Sequence, residues 1–398
     1  MTTAAIVGAS LAGMRCAQAL RGAGFTGRLV VIGEENAPPY DRPRLSKELL
    51  LDPAAPVRLL GDVPDVELHS GVRAEAVDVP DRSVMVSGGR RVPYDHLVVA
   101  TGAHARPSPW QVPGIRVLRT LDDARVLAGD IARGGPMAVI GAGFIGAEVA
   151  AAARTRGVDV TMIDPLAYPL ARAVGPEAGR RLAELHARGG AHLRLSTGVE
   201  GVSGEPGAFE VQLANGDRVA AASVLVAIGA VPNDAWLRDS GIEVADGIVC
   251  DEHCRVRGAP GVYAAGDVAA VHHHRLGRPV RQEHWTSAVE QAECVAHGIA
   301  HPDDPRPHRT LEYVWSDQYG LRIQVVGRPA DAAVETVVAD RRSPDRIVVL
   351  AGSKDGDLLG AVALDWPRAT IECRRVLASG DGHDAALERV RGLLTNAA

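Results

Sequence analysis

The stretches Ile6-Val7-Gly8-Ala9-Ser10-Leu11-Ala12-Gly13 and Val139-Ile140-Gly141-Ala142-Gly143-Phe144-Ile145-Gly146-Ala147-Glu148 decide the fold. Each runs from an apolar strand through a glycine turn into a helical pattern, which in the first copy is Met14-Arg15-Cys16-Ala17-Gln18-Ala19-Leu20. Glycines here permit the turn, let the backbone approach a pyrophosphate and let the helix pack closely on the strand, while the helix N-terminus offers N–H groups and a partial positive charge. A second strand ending in a carboxylate follows each copy: Leu29-Val30-Val31-Ile32-Gly33-Glu34 and Val158-Asp159-Val160-Thr161-Met162-Ile163-Asp164. Glu34 and Asp164 stand where a carboxylate accepts hydrogen bonds from a ribose diol. Ser10 replaces the expected middle glycine of the first copy and is small enough for the same approach. Two such sites predict two bound dinucleotides; the alternative is a pair of ordinary strand–turn–helix junctions.

Around these stretches the chain organises itself. Strand-like runs at 4–7, 29–33 and 95–101 surround the first fingerprint, the last ending in Ala100-Thr101-Gly102, and Val224-Leu225-Val226-Ala227-Ile228-Gly229 occupies the same place after the second. The second unit therefore reads as inserted into the first. Gly261-Val262-Tyr263-Ala264-Ala265-Gly266-Asp267, a strand and turn with no fingerprint of its own, is suited to completing the first site. Proline-rich segments at 107–113 and 302–307 mark the crossings. From about residue 311 a run of strands and a terminal helix predict a smaller α+β domain. The expected organisation is α/β: two Rossmann-like domains, one inserted in the other, plus a C-terminal α+β domain. The expected boundaries are 1–110 and 236–310 for the first nucleotide domain, 111–235 for the second and 311–398 for the last.

At 398 residues the chain exceeds a single core. A net charge of -6, a charged fraction of 23% and a hydrophobic fraction of 46% are ordinary for a globular protein and give no electrostatic footprint for nucleic acid. No apolar stretch is long enough to span a bilayer and the N-terminus has no basic leader, so a cytoplasmic location without a membrane partner is expected. Cysteines 16, 250, 254, 294 and 373 form no disulfide framework. Cys250, His253 and Cys254 lack a second ligand pair at zinc spacing, and His272-His273-His274 reads as a solvated loop, so no metal is expected. Lys47 and Lys354 are the only lysines in an arginine-rich chain. Lys47 is either a chemical requirement or an unexchanged surface residue.

Five further segments carry a specific likeness: Pro39-Tyr40-Asp41-Arg42-Pro43-Arg44-Leu45-Ser46-Lys47, Leu118-Arg119-Thr120-Leu121-Asp122-Asp123-Ala124, Ala264-Ala265-Gly266-Asp267-Val268, Glu283-His284-Trp285 and Trp315-Ser316-Asp317-Gln318-Tyr319-Gly320. With these the chain resembles, over essentially its whole length, the FAD-dependent, NADH-linked ferredoxin reductases of bacterial cytochrome P450 and ring-hydroxylating dioxygenase systems, the family of putidaredoxin reductase. The resemblance implies that Gly8, Ser10, Ala12 and Gly13 cradle the FAD pyrophosphate, with Thr101 and Gly102 at the next strand end. It implies that Glu34 holds the adenosine ribose and that Val77 meets the adenine through its backbone. Arg42 and Arg119 match FAD-contacting arginines, Asp267 would bind the ribityl chain, and Lys47 would lie against the isoalloxazine. Trp285 and Trp315 either pack around that ring or belong to the core. Gly141, Gly143, Phe144, Ile145, Gly146, Glu148, Asp164, Ile228 and Gly229 match positions that bind NAD. Tyr313-Val314 departs from the more usual proline-containing approach to the tryptophan.

Residues 40–60, where disulfide reductases of the wider glutathione-reductase-like superfamily carry a redox pair, contain no cysteine. The resemblance therefore implies hydride transfer from NADH to flavin and single-electron release to an iron–sulfur ferredoxin, with Lys47 and Glu148 as an ion pair beside the ring. The rivals are a rubredoxin reductase, a nitrite-reductase-like flavoprotein, or an apoptosis-inducing-factor-like protein with mainly a binding role. Asp164 points to NADH over NADPH, because a 2'-phosphate would meet it as a like charge. Docking of an acidic ferredoxin would need a local basic patch, for which Arg306/Arg309, Arg341/Arg342 and Arg374/Arg375 are candidates.

Overall fold

The continuous apolar runs form parallel strands buried on both faces, as such runs do when helices cover a sheet. A computed structural model describes residues 1–343 and 345–395. The chain divides into two compact units: Met1–Asp41, Val57–His104 and Ala230–Thr310 form one, while Arg42–Pro56, Ala105–Gly229 and the chain from Leu311 form the other.

In the first unit a five-stranded parallel sheet runs in the order Val262–Ala264, His96–Val99, Thr3–Val7, Arg28–Gly33, Val66–Ser70. The helix Leu11–Gly22 follows the first strand and packs against the helix Trp285–Ala300. A three-stranded antiparallel sheet, Ala74–Asp78, Ser83–Val86 and Arg90–Pro93, forms the crossover. Val262–Ala264 joins the first sheet at its edge beside His96–Val99, so the late strand completes the early fold.

The second unit repeats the plan with four parallel strands, ordered His192–Leu195, Val160–Asp164, Met137–Ile140, Ser223–Val226, and an antiparallel crossover of Val199–Glu205, Ala208–Leu213 and Arg218–Ala221. It also holds a five-stranded antiparallel sheet, ordered Tyr313–Gln318, Leu321–Gly327, Leu358–Leu364, Ile347–Gly352, Val334–Ala339. The helices Pro367–Ser379 and His383–Thr395 bury Cys373, Val376, Ala386 and Val390 on it.

Two local features differ from the sequence reading. Residues Arg42–Pro56 group with the second unit, because the short helix Glu48–Leu51 buries Leu49 and Leu50 and packs against the helices Leu121–Arg133 and Phe144–Thr155. The histidine run is not a solvated loop: His272 and His273 end the strand Ala269–His273, and pairing with Arg278–Arg281 turns His273 inward to 4% exposure. Tyr313-Val314 opens a regular edge strand.

Candidate functional site

In the first unit, the glycine turn closes on its neighbouring strand. Gly8 has φ +119°, and a Cβ there would lie 2.0 Å from the Ala100 carbonyl oxygen; one on Gly13 would lie 1.8 Å from the Gly8 carbonyl oxygen. No L side chain fits either place. Ser10 is the N-cap of the helix Leu11–Gly22 but makes no side-chain cap hydrogen bond, so the first-turn amides, including that of Ala12, have no side-chain acceptor at the cap. Close by, a Cβ on Gly266 would stand 2.9 Å from the Ala12 Cβ, which puts the Gly266-Asp267 turn against the fingerprint. That turn is fixed by the Gly266 N–H donating to Gln291 Oε1 at 2.8 Å, with Ser287 and Gln282 continuing the buried chain of hydrogen bonds. Thr101 Oγ1 donates to the Asn233 carbonyl at 2.7 Å and Asn233 Nδ2 returns to the Thr101 carbonyl at 2.8 Å, while Gly102 takes φ +66°. Glu34 is exposed and 3.8 Å from Arg73. Val77 is buried in the crossover sheet, and Trp285 starts its helix with Nε1 donating to Asp41 Oδ1 at 2.9 Å.

The second unit contains the matching turn. Gly141 has φ +104° and its Cβ would fall 2.3 Å from the Ala227 carbonyl oxygen, while one on Gly146 would fall 1.9 Å from the Gly141 carbonyl oxygen. Gly143 has open space at its Cβ position and caps the helix without a side chain. Helix starts without a side-chain cap bond suit a pyrophosphate at both turns. Asp164 is more tightly engaged than Glu34: Oδ2 accepts from the Ala142 N–H at 2.7 Å and Oδ1 from the Leu166 N–H at 2.8 Å. It thus holds the glycine turn and keeps lone pairs for a ribose. Ile145 is exposed and Phe144 half-buried at the helix start, and Ile228-Gly229 follows the strand Ser223–Val226, with Gly229 at φ +108°.

A buried polar cluster lies in the same unit. Glu148, on an alanine-rich helix, is 5% exposed, and Lys47 Nζ approaches its Oε1 at 2.8 Å. The Lys47 Nζ also donates to the Pro43 carbonyl at 3.1 Å, which fixes the ammonium from two directions. Ser316 Oγ donates to Glu148 Oε1 at 2.7 Å, and Ser46 Oγ donates to Oε2. Gln318 Nε2 in turn donates to Ser316 Oγ at 3.0 Å. A carboxylate this buried needs such partners, since an unpaired buried charge costs several kcal/mol. Ser46, Ser316, Gln318, Asn233 and Gln291 were not singled out from the sequence. A glutamate inside an Ala-Ala-Ala helix was the available signal that donors must converge on it. Arg42 Nη1 donates to the Arg119 carbonyl at 2.9 Å, and Asp123 holds the Arg119 amide through the capping box of Thr120. Trp315 is half-buried and stacks on Tyr313 at 6.0 Å between ring centres.

The arginine clusters are largely engaged locally. Arg306 pairs with Asp304, Arg342 with Asp340 and Arg375 with Glu372, while Arg374 lies over the Tyr313 ring at 4.9 Å. Among the described residues no group of three or more His, Cys, Asp or Glu could hold a metal ion, and no helix is long and apolar enough to cross a membrane.

Comparison with known proteins agrees with this geometry. Residues 2–292 match the family model for pyridine nucleotide-disulphide oxidoreductase, and residues 313–388 match the reductase C-terminal model. Rhodocoxin reductase of Rhodococcus erythropolis is 35% identical over 389 residues, covering 94% of this chain and 89% of the relative. The ferredoxin–NAD(+) reductase component of the anthranilate 1,2-dioxygenase system of Burkholderia cepacia is 34% identical, with 94% of each chain covered. A crystal structure of the covalent putidaredoxin reductase–putidaredoxin complex superposes with a TM-score of 0.89 at 28% identity over 98% of both chains. With both glycine cradles inside the match over residues 2–292 and the C-terminal sheet inside the match over 313–388, the chain belongs to the pyridine nucleotide-disulphide oxidoreductase family.

Proposed function

We propose that this chain is an FAD-dependent NADH:ferredoxin oxidoreductase that passes electrons one at a time to an iron–sulfur ferredoxin serving a cytochrome P450 or a ring-hydroxylating dioxygenase. The observation that carries this reading is the segment holding Lys47: it presents an ammonium paired with buried Glu148 and has no dithiol. Relatives of similar length named as ferredoxin–NAD(+) reductase components of dioxygenase systems support the same choice of acceptor.

FAD, when bound, would supply the chemistry: acceptance of an electron pair from NADH as hydride and its release in single-electron steps. The chain's residues bind, orient and balance charge. The first turn, with Gly8, Ser10, Ala12 and Gly13, holds the FAD pyrophosphate; Glu34 and Val77 take the adenosine end, and Asp267 the ribityl chain. Thr101, Gly102, Arg42, Arg119, Trp285 and Trp315 complete the FAD contacts. Gly141, Gly143, Phe144, Ile145, Gly146, Asp164, Ile228 and Gly229 hold NADH. Lys47 presents its charge to the flavin ring, and Glu148 fixes that charge in place and orients the nicotinamide amide. Preorganised charge of this kind acts without reorganisation at the moment of reaction. The protein works in the cytoplasm, a reading supported by five free cysteines, four of them buried.

The test is NADH-driven reduction of cytochrome c with and without an added iron–sulfur ferredoxin. Turnover that depends on the ferredoxin supports the proposal. Direct reduction of rubredoxin in preference to ferredoxin, or NADH binding that gives a long-lived charge-transfer complex with little turnover, overturns it.

A further inference from the structure

Strand alternation places two polar residues on one buried face beside Glu148. Ser316 and Gln318 lie two positions apart on the strand Tyr313–Gln318 and are 0% and 1% exposed, whereas Asp317 between them points the other way and takes Arg322 Nε at 2.8 Å. The strand packs against the helix Phe144–Thr155, which carries Glu148. Just beyond it Tyr319 turns the chain at φ +52°, with its hydroxyl 3.0 Å from His186 Nδ1 and its ring against Gly189, where a Cβ would fall 2.2 Å from Tyr319 Cε1. His186 lies on the helix Pro176–Arg188 and Gly189 caps it, so the end of the strand is anchored.

Counting protons then gives the network a direction. A serine hydroxyl has one proton and two lone pairs. Gln318 Nε2 donates to Ser316 Oγ at 3.0 Å, and Glu148 Oε1 stands 2.7 Å from the same oxygen. With an amide N–H on one side, the hydroxyl proton goes to the carboxylate on the other. Turned over, the amide would present Oε1 to the hydroxyl and compete with Glu148 for that proton. Gln318 Oε1 is instead buried without a hydrogen-bond partner, so the amide keeps its donor end on Ser316 and leaves its acceptor end unsatisfied. Glu148 Oε1 is also the atom that Lys47 Nζ meets at 2.8 Å, so the serine proton and the ammonium share one oxygen.

We infer that Gln318 is a positioning residue for flavin reduction: its amide N–H directs the Ser316 proton onto Glu148 Oε1 and so pins the carboxylate against which the Lys47 ammonium is held. The inference rests on the reading of Lys47 and Glu148 as the charge pair beside the flavin. Without the amide donor the hydroxyl proton has no enforced direction. Glu148 then keeps Lys47 and Ser46 but loses the contact that fixes Oε1, and the ammonium ranges over more positions. Displacing a reacting or charge-bearing group by about 1 Å costs up to about 100-fold in rate, so a looser pair is felt without any change at the ring itself.

The experiment uses the FAD-loaded protein and two replacements: Gln318→Met, of similar volume without the N–H, and Gln318→Asn, which keeps the amide but is one methylene too short to reach Ser316. Anaerobic stopped-flow mixing with saturating NADH should show the limiting rate of flavin reduction slowed about tenfold in both, with FAD retained, and changed by less than about twofold when the same replacements are made in Glu148→Gln. Thermal melting gives a readout independent of turnover. Gln318→Met should lower the midpoint by about 2 °C in the parent protein. In Ser316→Ala, where the amide has no partner at either end, it should leave the midpoint unchanged or raise it. Slowing by Lys47→Met but by neither Gln318 variant overturns this inference alone. Equal slowing with and without Glu148, or an equal fall in midpoint with and without Ser316, overturns it as well. Reduction untouched by Lys47→Met overturns the charge-pair reading and this inference with it.

Discussion

The two nucleotide-binding halves share a backbone and differ in what they place on it. Gly8 and Gly141 each donate their N–H across the sheet at 2.8 Å, to the carbonyls of Ile32 and Ile163, and each turns so sharply that a Cβ would strike the next strand. Two residues after the last glycine the likeness ends. The first helix carries Arg15, half-buried and donating to Gln18 at 3.1 Å, and the second carries Glu148, buried and met by Lys47, Ser46 and Ser316. The carboxylates at the ends of the second strands differ too, with Glu34 in solvent and Asp164 bound to its own glycine turn. The glycines set a fold that both halves need, whereas the charges assign each half its own task.

The largest expected effect separates the halves outright. Gly8→Val should abolish FAD retention, because it combines a left-handed φ with a backbone clash. Gly141→Val should keep FAD, still reducible by dithionite, and lose reduction by NADH. Flavin absorbance after gel filtration checks both, and FAD loss from the second variant alone would exchange the assignments.

Next in size is the buried charge pair. Lys47→Met leaves Glu148 with only its hydroxyl donors, so it should lower stability by about 3 kcal/mol and slow flavin reduction by about 100-fold with FAD still bound. Unchanged stopped-flow reduction rates would leave Lys47 as a structural partner of Glu148 alone. Ser316→Ala removes one charge-assisted hydrogen bond, worth about 1.5 to 3 kcal/mol. Its effect should fall below 0.5 kcal/mol, as an order-of-magnitude bound for a neutral site, in a Glu148→Gln background; equal effects in both backgrounds would show that the serine does not act through the carboxylate.

The smallest contrast lies between the two carboxylates. Asp164→Ala should narrow the preference for NADH over NADPH by relieving like-charge repulsion, and should also lower kcat/KM for NADH, since the Ala142 and Leu166 amides lose their acceptor. Glu34→Ala should weaken FAD binding by no more than about 1 kcal/mol, as expected for an exposed contact. A large FAD loss there would give Glu34 the weight now given to the glycine turn.

What the sequence makes legible follows from range. The fingerprints are local, so strand, turn and helix could be read from contiguous residues, and the late strand at 262–264 from its apolar run. The cluster around Glu148 is assembled from residues 102 and 168 positions away, Ser46 and Ser316, and no periodicity reports such a meeting. The resemblance supplied Lys47 and Glu148 but not the serines that satisfy the carboxylate. His273 was misread for a related reason: three consecutive histidines look polar, yet strand alternation turns one of them into the core. The grouping of residues 42–56 with the second unit likewise depends on where Leu49 and Leu50 are buried.

The most direct measurement mixes the FAD-loaded protein, its cysteines alkylated under native conditions, with NADH and excess oxidised iron–sulfur ferredoxin in the absence of oxygen. The account predicts about two ferredoxins reduced per NADH, at a rate alkylation does not change, with no long-wavelength thiolate-to-flavin absorbance at any stage. Ferredoxin reduction that alkylation abolishes in a protein still folded, or NADH oxidation with the ferredoxin left untouched, would contradict it.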